Sequence, residues 1–373
     1  MAFGVYVHIP FCSTRCDYCD FATWTDRSHL VDDYVAACVA DLGRRRATGG
    51  VPPATSLFFG GGTPSLLDPG QLRRITEAVD LAPGAEVTVE CNPDSVDVAM
   101  LTGYRDAGVN RISLGVQSTV PHVLEALGRT HDRANVERAR DAVHDAGITS
   151  LNIDVIFGAP GESADDWHTT LTDVLALRPQ HVSAYGLTIE AGTPMAERVR
   201  TGSVTTPDDD DQADRYCAAD QVLGDAGLSW YEVSNFAVPG HESRHNSLYW
   251  SGDDYLAIGC AGHGYTAPRR WWNVRRPEDY IERVSRGRSP ERGSETLPAP
   301  KKVAENLMLA LRTSRGVPAG SVPSGRATAL VDAGLLTPAG DRLVLTLDGR
   351  LVASEVTNRL VDLPGTPGAN SRR

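Results

Sequence analysis

The chain has 373 residues, 41% of them hydrophobic and 23% charged, with 36 Lys and Arg against 48 Asp and Glu for a net charge of −12. This is the balance of a folded globular chain, not a disordered one, and no apolar run reaches the ~18–20 residues of a spanning helix. So acidic a protein is also a poor general nucleic-acid binder, because the phosphate backbone repels it.

The first strand-like run, Val5–Ile9, begins close to the initiating Met. No basic segment followed by an apolar one precedes it, so a cytoplasmic, reducing setting is expected. Three cysteines follow at once, Cys12, Cys16 and Cys19, while Cys38, Cys91, Cys217 and Cys260 are scattered. In a reducing compartment such a cluster reads as metal-binding or catalytic, not as a disulfide frame.

Strand-like and helix-like runs then alternate. The helical pattern Leu30–Leu42 leads to the strand Ser56–Phe59, and Pro69–Leu81 leads to Glu86–Cys91. Val96–Ala107 precedes Arg111–Val116, Ala134–Ala146 precedes Leu151–Phe157, and Ala164–Leu177 precedes His181–Leu187. Strand–helix repeats in series predict an α/β fold around a parallel sheet. Right-handed crossovers would wind it into a barrel or part of one, and periodicity leaves a full barrel, a partial barrel and a doubly wound sheet open. The polar punctuation falls where the strands end: Gly60-Gly61-Gly62-Thr63, Glu90 and Asn92, Gln117, and Asp154. In α/β barrels reactive groups occupy such positions, all on one face.

Beyond residue 200 the pattern changes. Asp208–Asp211 reads as an acidic cap opening a helix. Residues 230–276 hold four of the six tryptophans, and residues 285–300 read as a linker. A helix at Val303–Arg312, another near Ala327–Ala333, a hairpin-like Leu343–Leu347 and a last helix Leu351–Leu360 predict a small C-terminal module, winged-helix-like in its order. The organisation expected is a core over 1–200, a second region over 201–290, the module over 291–363 and a disordered tail over 364–373.

The spacing Cys12-x3-Cys16-x2-Cys19 places three thiolates on one short loop. A tetrahedral zinc site would need a fourth ligand, His8 or Asp20. Three thiolates can instead hold three irons of a cubane 4Fe-4S cluster and leave the fourth open to a ligand. The spacing resembles the signature of radical S-adenosylmethionine (SAM) proteins. With Tyr6–Cys12, Gly60–Ser65, Glu90–Pro93, Leu114–Gln117 and Asn152–Asp154, nearly the whole chain resembles the branch of that superfamily containing oxygen-independent coproporphyrinogen III oxidase. The resemblance implies a partial (β/α)6 TIM-type barrel, followed by an α+β region and the winged-helix-like module. It implies a 4Fe-4S cluster on Cys12, Cys16 and Cys19. It implies SAM held among Tyr6, Tyr18, Gly61, Gly62, Thr63, Glu90, Gln117, Arg129 and Asp154. The glycines would let the backbone approach the cofactor closely, and Arg129 would meet its carboxylate with two donors.

Within that branch, the oxidase pattern has a further cysteine two residues past Cys19, where this chain has Phe21, and an N-terminal extension where only five residues precede Tyr6. The hexamer His245-Asn246-Ser247-Leu248-Tyr249-Trp250, with Tyr231–Phe236 and Gly259–Gly264, instead resembles a haem-chaperone subgroup. That resemblance implies haem at His245, a neutral imidazole being a good axial ligand. Asn246 would orient the ring, and Tyr249 and Trp250 would give the macrocycle flat apolar surface. His241, His263 and Cys260 are rival ligands, and a site near the surface is expected. The implied function is transfer of haem to acceptor haemoproteins, with membrane respiratory cytochromes among them. A haem donor, a homodimer and transient membrane contact belong to the same expectation. The alternative is radical oxidative decarboxylation of coproporphyrinogen III propionates.

Overall fold

A computed structural model describes residues 2–361; the expected disordered tail lies outside the described residues. The core alternates β1 (Gly4–Ile9), α1 (Val31–Ala47), β2 (Ala54–Gly61), α2 (Pro69–Ala78), β3 (Leu81–Cys91), α3 (Val98–Asp106) and β4 (Arg111–Gln117). It continues through α4 (Pro121–Ala126), α5 (Arg133–Asp145), β5 (Ser150–Phe157), α6 (Ala164–Ala176) and β6 (His181–Gly186). β1 to β6 lie side by side in chain order, every pair parallel, so the protein is a mixed α/β fold built on a parallel sheet of six strands. Helix starts are fixed by side chains accepting from exposed backbone N–H groups. Asp68, Asp132 and Ser163 each form a reciprocal capping box at α2, α5 and α6.

The strands carry two alternating sets of side chains. Val5, Val7, Leu57, Phe59, Val87, Val89, Ile112, Leu114, Ile153 and Val155 are buried in the main core. The alternate positions, including Tyr6, Phe58, Thr88, Arg111, Ser113, Asn152, Asp154, His181 and Ser183, line an interior cavity. Registers align these as layers: Glu90 opposite Ser113, Ser113 opposite Asn152, and Asn152 opposite His181.

Later elements extend this sheet at both edges. After α7 (Pro194–Arg200) and α8 (Asp209–Asp225), β8 (Asn235–Ala237) adds antiparallel to β6, and β7 (Ser229–Glu232) antiparallel to β8. Asp208 caps α8 by accepting from the N–H groups of Asp210 and Asp211, at 3.0 and 3.1 Å. Helix α9 (Arg244–Ser251) leads into β9 (Tyr255–Ile258), which pairs parallel with β1. β10 (His263–Thr266), β11 (Arg269–Asn273), α10 (Pro277–Ser285) and β12 (Glu291–Thr296) follow. β12 pairs antiparallel with β11 at the sheet's edge, inside the stretch expected as a linker. Its sequence hides the strand because both faces are largely exposed and no apolar alternation is needed. Gly293 is required there, because a Cβ would lie 2.6 Å from the Trp272 indole.

The C-terminal elements are α11 (Ala299–Leu311), β13 (Val317–Pro318), α12 (Ser324–Asp332), β14 (Leu336–Ala339), β15 (Arg342–Leu345), α13 (Leu347–Leu351) and α14 (Ala353–Leu360). They form their own three-stranded sheet, order β13-β15-β14, over a separate core including Leu311, Leu330, Leu343 and Val356. Among the described residues no helix is long and apolar enough to cross a membrane.

Candidate functional site

The loop after β1 is closed on itself: Trp24 N–H donates to the Pro10 carbonyl (2.8 Å), and Cys12 N–H to that of Trp24 (3.1 Å). It folds Cys12, Cys16 and Cys19 onto the wall of a cavity of about 390 Å³ at the C-terminal ends of the parallel strands. Tyr18, Gly61, Gly62, Thr63, Glu90, Asn92, Gln117, Arg129 and Asp154 line the same cavity. One member of the expected SAM set lies elsewhere: Tyr6 lines the interior cavity beneath, not this one. Thr63 Oγ1 donates to Cys12 Sγ at 3.6 Å, and Arg129 Nη1 to Cys16 Sγ at 3.3 Å. Burial raises the Cys12 and Cys19 thiol pKa values, and the neighbouring thiols raise them further.

The thiols fit a group bound by thiolates: all three face one cavity, and two already accept hydrogen bonds that stabilise negative sulfur. His8 does not join them, since Nδ1 lies 3.1 Å from Tyr6 OH and Nε2 lies 3.0 Å from the Ala22 carbonyl. As placed, no group of three His, Cys, Asp or Glu side chains among the described residues could hold a single metal ion.

The glycine triplet serves the loop's own packing. Gly61 has φ +113°, and a Cβ there would sit 2.4 Å from the His8 ring. A Cβ on Gly62 would lie 2.6 Å from the Phe11 carbonyl oxygen and 3.1 Å from Cys12 Sγ. With no side chain at Gly61 or Gly62, the N–H groups of Gly62 and Thr63 reach the carbonyls of Ile9 and Phe11, each at 2.8 Å, and bind the end of β2 to the cysteine loop. Arg129 follows α4 and reaches inward. Its Nη2 donates to Gly115 O (2.6 Å) and Asn92 Oδ1 (3.0 Å). Its buried Nε has no partner among the described residues, leaving a donor for a ligand. Gln117 ends β4 in the left-handed region, φ 65°, where the β4–β5 register slips by one residue.

Glu90, Ser113, Asp154 and Tyr185 line both this cavity and a second, of about 240 Å³, deeper in the barrel. Burial and the neighbouring Asp154 push the Glu90 carboxyl up to about 8, opposed by the Gly61 N–H it accepts at 3.0 Å. Asp154 is raised by burial too, and is held by Ser113 Oγ (2.7 Å) and Asn152 Nδ2 (2.8 Å). Asn152 Oδ1 lies 2.5 Å from His181 Nδ1, whose Nε2 lies 2.8 Å from Tyr231 OH. Sequence reasoning took residues at strand ends and missed Ser113, Asn152, His181 and Tyr231. For Ser113, Asn152 and His181 the signal was a polar residue at every second position of otherwise apolar strands; Tyr231, on the short β7, carried none.

The hexamer forms α9, set against the opposite, N-terminal ends of β2 and β3. Glu86 of β3 anchors it, its two carboxylate oxygens accepting from Arg244 N and His245 N, both at 3.0 Å. Ser243 Oγ caps the helix through Asn246 N (3.2 Å), and Gly252 ends it in the left-handed conformation. His245 and Tyr249, one turn apart, point into the deeper cavity. There the expectation of a surface-proximal imidazole does not hold. His245 is 1% exposed, with Nδ1 2.9 Å from Ser56 Oγ and Nε2 2.9 Å from Tyr249 OH. Burial pushes its pKa down to about 3. Asn246 Nδ2 donates to Glu232 at 3.3 Å, and both His245 ring nitrogens are partnered by Ser56 and Tyr249 instead. Trp250 lies on the far side, in an outer groove shared with the C-terminal module. Of the rival ligands, Cys260 is fully buried under Tyr34 OH, and exposed His263 stacks on Trp272.

Residues 6–174 match the model of the radical SAM superfamily. Over 369 residues the chain is 42% identical to the haem chaperone HemW of Mycobacterium tuberculosis, covering 96% of this chain and 95% of that one. It is 31% identical to haem chaperone HemW of Bacillus subtilis over 370 residues, 95% and 97% of the two. Among solved structures, coproporphyrinogen III oxidase HemN of Escherichia coli, a radical SAM enzyme, superposes with a TM-score of 0.83 at 20% identity. That match covers 96% of this chain and 89% of the other, and it establishes the shared fold.

Proposed function

This chain belongs to the HemW family of haem chaperones within the radical SAM superfamily, and from that premise we propose that it binds haem through α9 and passes it to acceptor proteins in the cytoplasm. Membership also brings a 4Fe-4S cluster and SAM. Cys12, Cys16 and Cys19 would hold the cluster, which when bound supplies the electron for reductive cleavage of SAM. Arg129 would meet the SAM carboxylate through its uncommitted Nε. Thr63, Gln117 and Tyr18 would enclose SAM, with Glu90 and Asp154 at its inner boundary. Tyr6 acts from below, by orienting His8.

The observation that carries the haem reading is the placement of the hexamer, intact on one capped helix across the barrel from the thiols. His245, Asn246, Tyr249 and Trp250 are its haem-binding set. For the imidazole to reach iron, His245 must exchange its hydrogen bonds to Ser56 and Tyr249. The oxidase reading lacks such support: Phe21, 59% exposed, stands where that pattern has a thiol.

The test is an anaerobic haemin titration of the cluster-loaded protein, followed by Soret absorbance. One haem per chain, with an altered spectrum or weaker binding in His245→Ala, is the expected result. Absence of saturable binding would overturn the chaperone reading.

A further inference from the structure

The outer face of α9 and the C-terminal module enclose a groove of about 990 Å³, roomier than either interior cavity. Its wall carries an aromatic plate, Trp250, whose buried Nε1 has no hydrogen-bond partner among the described residues. Arginines from three separate segments meet it, and none closes an ion pair among the described residues. Arg244 Nη1 donates to the Gly84 carbonyl (2.8 Å). Arg342 donates through Nε and Nη2 to the carbonyls of Arg315 (2.6 Å) and Gly316 (2.7 Å). Arg315 is exposed and feels Asp253 electrostatically. The other acids at the wall are already engaged: Glu232 with Asn235 and Asn246, and Glu242 with the Gly240 N–H. Unpaired guanidiniums beside a flat indole form a receptor for a planar apolar molecule with carboxylates at its edge.

We propose that haem docks in this groove, its macrocycle against Trp250 and its propionates on Arg315 and Arg342. This rests on the haem-chaperone reading and adds to it a place for the ring face and the propionates. His245 faces the opposite side of α9, so the groove captures haem by its edge and face, before or apart from axial ligation.

The experiment compares haemin with haemin dimethyl ester, which has the same ring and iron but no free carboxylates. The cluster-loaded wild type is titrated with each beside Arg315→Gln, Arg342→Gln, Trp250→Leu and His245→Ala. Wild type should bind haemin about tenfold more tightly than the ester, the effect of one or two charge-assisted contacts. Arg315→Gln should weaken haemin alone and narrow that ratio. Trp250→Leu should weaken both ligands alike, and His245→Ala should leave the ratio intact. Arg315 holds no partner the fold needs, so its variant decides even if Arg342→Gln fails to fold. Equal binding of haemin and ester by wild type, or an unchanged ratio in Arg315→Gln, would overturn the groove while leaving chaperone function standing. Loss of wild-type haemin binding altogether would instead remove the reading beneath it.

Discussion

Ser56 Oγ lies 2.9 Å from His245 Nδ1, joining the second core strand to a helix 189 residues later in the chain. Tyr249 OH partners the other ring nitrogen at 2.9 Å, and burial keeps the imidazole neutral. Its consequence is a measurable pH dependence. Burial lowers the folded-state pKa to about 3, whereas an unfolded histidine takes its proton near 6.5. The unfolded chain therefore binds more protons between these values. Stability from this group is complete above about 6.5 and is lost as pH falls toward 3. Urea unfolding between pH 4.5 and 7.5 should show a shallower acid-side loss in His245→Gln than in wild type. Parallel slopes would mean that His245 is accessible to protons in the folded state.

Each of Cys12→Ala, Cys16→Ala and Cys19→Ala should abolish the brown absorption obtained on anaerobic reconstitution. All three thiols face one cavity, and no other cysteine lines it close by except Cys91, buried on β3. Iron and sulfide analysis gives the check: undiminished iron in any one variant removes that residue from the ligand set.

Arg129→Lys keeps the charge but loses the planar fork that spans Cys16, Asn92 and Gly115. SAM affinity of the cluster-loaded protein, measured calorimetrically, should fall about tenfold. Unaltered affinity would place the SAM carboxylate elsewhere.

Gly61→Ala should destabilise the protein by at least ~1–2 kcal/mol, because a Cβ at φ +113° meets the His8 ring at 2.4 Å. A denaturation midpoint equal to wild type would show that His8 can move aside.

Phe21→Cys should not confer coproporphyrinogen oxidase turnover, since adding one exposed thiol does not shape a substrate site. Strong turnover in an anaerobic assay with SAM and reductant would place the chain's chemistry with the oxidase.

Much of this was legible before folding. The core strands and helices fall within a few residues of the apolar runs because strand and helix periods are local properties. Helix α2 ends at Ala78, short of the expected Leu81, because Val79 turns extended and Leu81 already belongs to β3. The cysteine spacing and the hexamer were legible because both are compact in sequence. β12, an exposed edge strand, and the short strands β7 to β11 were not, since such runs carry little apolar alternation and pair only once a sheet exists for them to join.

The sequence by itself determined which groups are present: three thiols on one loop, polar residues at strand ends and an imidazole–aromatic hexamer. It determined the family too, because those groups stand at fixed local spacings. Only the tertiary structure decided where they face. Strand register put Glu90, Ser113, Asn152 and His181 in one layer, a long-range pairing that no local pattern encodes. Helical spacing already sets His245 and Trp250, five residues apart, on different faces of α9; the anchoring of the helix by Glu86 decided that His245 turns inward and Trp250 outward. Helix orientation is set by the partner that binds its end, and that partner lies 159 residues earlier in the chain.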